Sequence, residues 1–252
     1  MSNVCVKNCC IGSGKPKICV PIVAETMSDI FSQARGMQRK RFDIVEWRID
    51  WFEKFEDPDI VRRASRILHG ILDDQPFLFT FRTEKEGGKR PITPEYYVEL
   101  NRIAAQEHLV DMIDVELFSG DEIVRQLVDI AHNANMPVVI SNHDFEKTPS
   151  QEELVERMKR AEALGADILK IAVMPQSKRD VLSLLCATEQ MSRESDRPLI
   201  TMSMGKDGII SRLSGEIFGS SVTFGTIGMA SAPGQIDLDS MNYVLDLLHQ
   251  TL

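Results

Sequence analysis

The chain has 252 residues, 43% hydrophobic and 27% charged, which suits one large domain with a sizeable core. A formal net charge of −9 argues against nucleic acid and anionic membrane surfaces as partners, and no apolar run approaches the roughly 18 residues of a membrane span. Residues 1–17 lack the apolar stretch of a signal peptide, so the cytoplasm is the expected compartment.

Residues 3–15 alternate at Val4 and Val6 and turn near Lys7-Asn8. That pattern predicts a short hairpin within residues 1–16. Of the five cysteines, Cys5, Cys9 and Cys10 fall in it, and Cys19 and Cys186 do not. There is no Cys-x-x-Cys pair and no histidine near them at zinc-ligand spacing. An odd count without a secretion signal predicts reduced thiols.

Short apolar or β-branched runs follow at residues 17–23, 43–49, 77–82, 112–117, 137–141, 167–173, 198–203 and 221–225. Their starts lie 23 to 35 residues apart. Segments with helical period fill the gaps, most clearly at 57–73, 93–108, 121–133, 150–164 and 178–195. Thr93-Pro94-Glu95 puts a proline at a first helical position, Ser150-Gln151-Glu152-Glu153 reads as a capping box, and Gly165 is a helix stop. Eight strands alternating with eight helices predict an α/β fold, a (β/α)8 TIM barrel over residues 1–252, with the hairpin closing its bottom. A doubly wound sheet is disfavoured, because the first turn, Val23-Ala24-Glu25-Thr26-Met27, has no Gly-x-Gly-x-x-Gly. Gly14-Lys15 and Gly205-Lys206 lack the rest of a phosphate loop.

In such a barrel the C-terminal strand ends face a shared pocket. Here they are loaded with polar groups: Glu46 and Arg48, Thr80 and Arg82, Asp114 and Glu116, Ser141-Asn142-His143, and Lys170. Lys170 lies in Ala166-Asp167-Ile168-Leu169-Lys170-Ile171-Ala172-Val173-Met174, a run otherwise fit for a buried strand. A buried ammonium must be paired or shed its proton, and a deprotonated lysine can form an imine with a ketone. The bland alternative is a lysine snorkelling to water from a strand end. Of the five histidines, only His143 falls at a strand end rather than on a helix. Alone it reads as structural; one strand from Lys170 it is a candidate general base. Arg48, Arg82 and Arg212 suit an anion, as do the hydroxyl and amide of Ser231-Ala232-Pro233-Gly234-Gln235. Some of these arginines are expected instead to pair Glu46, Asp114 and Glu116, with Asp114 and Glu116 organising a buried network. Carboxylates interleaved with cations repel a divalent metal, and a protonated imine is its own electron sink, so neither metal nor cofactor is expected.

The stretches FDIVEWRID, LFTFRTEKEGG, DMIDVELF, SNHDFEKTP, ILKIAVMPQ, TMSMG, GIISRLSGEIFGS, TFG and SAPGQI occur in that order over almost the whole chain. In them the chain resembles the type I 3-dehydroquinate dehydratase family, Schiff-base hydro-lyases of the shikimate pathway. The resemblance implies a TIM barrel, commonly a homodimer, in which Lys170 forms an imine with 3-dehydroquinate. His143 would be general base and acid in a syn-type elimination giving 3-dehydroshikimate. It also implies that Glu86 partners the histidine and that Glu46, Arg48 and Arg82 hold the substrate's hydroxyls. Arg212, Ser231 and Gln235 would hold its carboxylate and a closing loop, and Met202 and Met204 would line the pocket. Two positions depart from the family pattern. Pro21 stands where some relatives have a binding serine, and Leu169 where many have a proline. The rival readings are a class I Schiff-base aldolase, which need not combine His143, the Glu86 loop and SAPGQI, and a non-catalytic sensor, which need not keep the Lys–His–Glu set.

Overall fold

Side chains two apart along a strand share a face, and here that alternation sorts the residues into layers. The computed structural model describes residues 3–227 and 232–252. After β1 (Val4–Val6) and β2 (Cys9–Ile11), eight strands run in parallel: β3 (Lys17–Ile22), β4 (Ile44–Arg48), β5 (Phe77–Thr80), β6 (Met112–Glu116), β7 (Val138–Asp144), β8 (Ile168–Val173), β9 (Leu199–Ser203) and β10 (Val222–Thr226). Each is followed by helix: α1 (Met27–Met37), α2 (Pro58–Leu72), α3 (Pro94–Gln106), α4 (Asp121–Asn133), α5 (Gln151–Ala163), α6 (Lys178–Glu194), the short pair α7 (Ile209–Leu213) and α8 (Gly215–Phe218), and α9 (Leu238–His249). A two-residue strand, β11 (Ile236–Asp237), pairs with β10 just before α9. The fold is the (β/α)8 barrel expected from the strand spacing. Among the described residues no helix is long and apolar enough to cross a membrane.

The outward set, such as Val45, Trp47, Phe77, Phe79, Ile113, Val115, Leu169 and Ile171, forms the main core with the helices. The inward set begins with one apolar residue per strand: Cys19, Ile44, Leu78, Met112, Val139, Ile168, Ile200 and Val222. Two residues further along, the inward position holds Glu46, Thr80, Asp114, Ser141 and Lys170, all buried. The lower barrel is thus a greasy plug and the layer above it is polar.

Val6, Cys9 and Ile11 of the hairpin pack on the lower apolar layer. The hairpin therefore closes the bottom, as predicted. Cys5 and Cys10 are direct cross-strand partners with Cα atoms 4.1 Å apart, and they form a disulfide. This corrects the expectation of five reduced thiols. That expectation rested on count and compartment, which carry no information about register; cross-strand pairing put these two sulfurs in reach. Cys9, Cys19 and Cys186 are free.

Helix starts follow the sequence signals with one exception. Thr93 caps α3 by accepting from Tyr96 N at 3.3 Å, with Pro94 at the first position. Ser150 caps α5 by accepting from Glu153 N at 3.3 Å, but the Glu153 side chain turns to Arg157 instead of closing the box. Gly165 ends that segment with φ +97°, a left-handed conformation that favours glycine.

The ring is not uniform. The first and last barrel strands join through a regular ladder from Val222↔Lys17 to Phe224↔Cys19. Among the described residues the backbone pairing beside β9 and β10 is confined to the Leu199↔Ser220 bridge and the Ser221 N to Leu199 O bond of 2.7 Å. Thr201 N turns to the Ser220 hydroxyl at 3.0 Å.

Candidate active site

Lys170 projects from β8 into the polar layer and is 4% exposed. Its Nζ lies 2.9 Å from Asp114 Oδ2, 3.3 Å from Glu46 Oε1 and 4.8 Å from the centre of the Phe224 ring. Two carboxylates thus stand within ion-pair distance of the buried Nζ. Arg82 is the hub of the network. It donates to Asp114 Oδ1 at 2.8 Å, Glu116 Oε1 at 2.9 Å and Ser141 Oγ at 3.0 Å. Burial works against the Asp114 charge, yet Arg82 and Lys170 outweigh it and hold the carboxyl well below the usual range. Glu116 also accepts from Thr83 N at 2.8 Å and Thr83 Oγ1 at 2.6 Å. Asp114 and Glu116 therefore organise the network, as expected, and neither lines the central cavity.

Arg48 is bidentate to Asp50, at 2.7 and 2.8 Å. Asp50 is fully buried and also accepts from Lys89 N at 3.0 Å, tying the β5–α3 segment to β4. Sequence reasoning did not single out Asp50. Its signal was present as the acid two places after Arg48, but the strand was read as stopping at Ile49. A single 3-10 turn over Ile49–Trp51 bends Asp50 back onto the arginine.

His143 lies inside β7, paired with Ala172, because the strand runs to Asp144 rather than stopping at Ser141. Its Nδ1 is 2.9 Å from Glu86 Oε2, which also accepts from His143 N at 2.9 Å. Glu86 is delivered by the segment after β5, which folds back so tightly that a Cβ on Gly88 would stand 1.8 Å from Arg82 O. Burial first, then Arg82 and Lys170, hold the imidazole well below its usual range. Burial and the neighbouring Glu116 push Glu86 up to about 8, against Arg82. Such a pair resists a second proton and leaves the histidine a neutral base.

These groups open on one cavity whose wall includes Glu46, Arg48, Arg82, Glu86, His143 and Lys170. Met202, Met204 and Gln235 also line it. Phe145, Ala172, Phe224 and Ala232 line it too, although sequence reasoning did not name them, since apolar lining has no signal distinct from core. Ser231 lies outside the described residues. Arg212 sits in the last turn of α7, 1% exposed, behind Met202 and off the cavity wall. Its Nη2 donates to Pro233 O at 3.1 Å and its Nε has no partner among the described residues. Burial alone lowers it to about 10. A guanidinium buried without a carboxylate is an unmet demand for an anion.

The sequence profile of one family, Type I 3-dehydroquinase, matches residues 18–252. The chain belongs to the type I 3-dehydroquinase family. It is thereby an enzyme of the hydro-lyase class. The 3-dehydroquinate dehydratase of Salmonella agona is 51% identical over 251 residues, 99% of this chain and 100% of that protein. That of Listeria monocytogenes serotype 4a is 51% identical over 250 residues, 99% of each. A crystal structure of the type I enzyme from Clostridium difficile with covalently modified comenic acid superposes with a TM-score of 0.97 at 50% identity, covering 100% of this chain and 99% of that one. The two departures from the family pattern fit locally. Pro21 is buried and in register with Glu46. Leu169 N donates to Pro198 O at 3.0 Å, a bond a proline could not make.

Proposed function

We propose that the chain dehydrates 3-dehydroquinate to 3-dehydroshikimate through an imine on Lys170. The observation that carries this reading is the convergence of Lys170 and His143 on one cavity, with Glu86 behind the imidazole. The Lys170 amine adds to the ring ketone, and loss of water gives the protonated imine. The carboxylate of Glu46, 3.3 Å from Nζ on the cavity wall, is placed to take and return the amine's proton. His143 Nε2 removes a proton from the carbon next to the imine, and the electron pair forms an enamine. The enamine expels the β-hydroxyl, which leaves as water with the proton His143 has just taken. Hydrolysis frees the enone and restores Lys170. Glu46, Arg48 and Arg82 present charge and hydrogen bonds to the substrate's hydroxyls. Gln235, on the wall, is read as meeting its carboxylate, a role the family resemblance also gives Ser231. The reading carries with it the homodimer and the cytoplasmic location that the family resemblance implies, the former checkable by sedimentation.

The direct test is borohydride reduction in the presence of 3-dehydroquinate, followed by peptide mass analysis. The adduct is expected on Lys170, and a turning-over enzyme without one would falsify the imine. His143→Ala is expected to trap that adduct while kcat falls by about 10²- to 10⁴-fold, the usual worth of a general base. Near-parent turnover in that variant removes His143 as the base. Because His143 Nε2 is free to act as a base only once Glu86 has ionised and the remaining hydrogen sits on Nδ1, kcat/KM is expected to fall as pH drops below about 8. In Glu86→Gln that limb should shift, since the group that resists ionisation is gone. Arg212→Ala is expected to weaken substrate more than an analogue lacking the carboxylate; equal losses would remove the anion role.

A further inference from the structure

A neutral histidine has two tautomers, and only one leaves Nε2 free to accept a proton. In His143 the choice depends on Glu86. As an ionised acceptor Glu86 keeps the hydrogen on Nδ1, whereas as a protonated donor it moves the hydrogen to Nε2 and blocks the base. Glu86 Oε2 accepts from His143 N, and Glu86 Oε1 faces Asn142 Nδ2 at 3.2 Å. Asn142 is 3% exposed, and its amide could present either its NH2 or its oxygen to that carboxyl. The other end of the amide settles the matter. Asn142 Oδ1 lies 2.7 Å from Arg157 Nη1, and a guanidinium only donates. With the amide oxygen claimed by Arg157, the NH2 must point at Glu86.

Resting on the dehydration reading, we propose that Arg157 and Asn142 are positioning residues that fix the base-competent tautomer of His143 through Glu86. Neither touches the central cavity. Arg157 comes from α5, the helix that follows β7, so it reaches back over the strand carrying His143. Its side chain is 14% exposed, ion-paired with Glu153 and stacked over Phe118 at 5.3 Å. Its guanidinium is therefore held by an ion pair and a ring face as well as by Asn142. The charged groups facing the dyad come from every neighbouring strand: Arg48 from β4, Arg82 just after β5, Asp114 and Glu116 from β6, and Lys170 from β8. None of these makes the contact that orients the Asn142 amide. Removing Arg157 frees the amide to turn its oxygen to Glu86, which favours the protonated carboxyl. The acid limb of activity then moves to higher pH.

The test compares Arg157→Met, which keeps an unbranched chain but loses the guanidinium and its donors, with Arg157→Lys, which restores a cation and a donor. Each is read by the pH dependence of kcat/KM and by borohydride trapping on Lys170. Arg157→Met is expected to lower kcat by about tenfold, a fraction of a general base's worth, with KM and trapping unchanged and the acid limb shifted upward. Arg157→Lys is expected to recover much of the loss. Asn142→Asp, which sets a second carboxylate against Glu86, should shift the limb in the same direction. A parent-like pH profile and kcat in both Arg157→Met and Asn142→Asp would overturn the proposal. So would a loss in Arg157→Met confined to thermal stability. Absence of trapping in the parent enzyme would instead sink the imine reading on which it rests.

Discussion

Lys170→Met is expected to lose turnover by ~10⁴-fold or more, because it removes the group that forms the bond and not merely one that orients it. The fold should persist. Asp114 keeps Arg82 and Ser141 as partners after the substitution, and the methionine occupies most of the lysine's volume against Phe224. Glu46 is left with the Thr80 hydroxyl, 3.0 Å away, as its remaining hydrogen-bond partner in this network. Substrate binding should survive in part, since Arg48 and Arg82 remain on the wall. Circular dichroism, an absorbance assay for the conjugated product and substrate titration by calorimetry separate these outcomes. Measurable dehydration by a folded Lys170→Met protein would mean that the elimination proceeds without the imine.

Arg82→Met should do the reverse and strike stability first. The guanidinium is fully enclosed and within 4 Å of Asp114, Glu116 and Glu86. Taking it away leaves three buried carboxyls, of which only Asp114 retains a cation, Lys170. Removing one partner of a buried pair costs about 3–5 kcal/mol, and here one cation serves several acids, so the loss belongs at or above that range. The pH dependence has a definite sign. The folded protein holds Asp114 below its unfolded value, so its contribution is present above that value and lost as pH falls through the folded one. The gap between parent and variant in urea unfolding should therefore narrow below about pH 4, where an unfolded aspartate takes up its proton. A gap that stays constant down to acid pH would show that the loss comes from packing rather than charge.

The layers of the barrel were legible because they obey a period of two. Ile44, Glu46 and Arg48, or Ile168, Lys170 and Ala172, name their own faces once the strand is recognised. Lys170 and His143 stood out for the same reason, as polar groups in places that should be apolar. Less was legible where position depends on a turn rather than a period. Asp50 needed a 3-10 bend, Arg212 needed the depth of α7, and the Cys5–Cys10 bond needed the hairpin's register. The role inferred for Arg157 had no sequence signal, since an arginine in a helix rich in Glu and Arg reads as solvated surface.

The uneven ring has a consequence for how the barrel closes. The ladder between β3 and β10 joins residues some two hundred positions apart through consecutive pairs from Val222↔Lys17 to Phe224↔Cys19. The slack sits instead between neighbours in sequence, at β9 and β10. Long-range closure is entropically demanding, whereas a local joint can open and re-form with little loss of chain order. The circle can thus be sealed at its ends while a clasp beside α7 stays adjustable. Amides flanking that clasp should exchange with solvent through small openings that leave the rest of the ring intact.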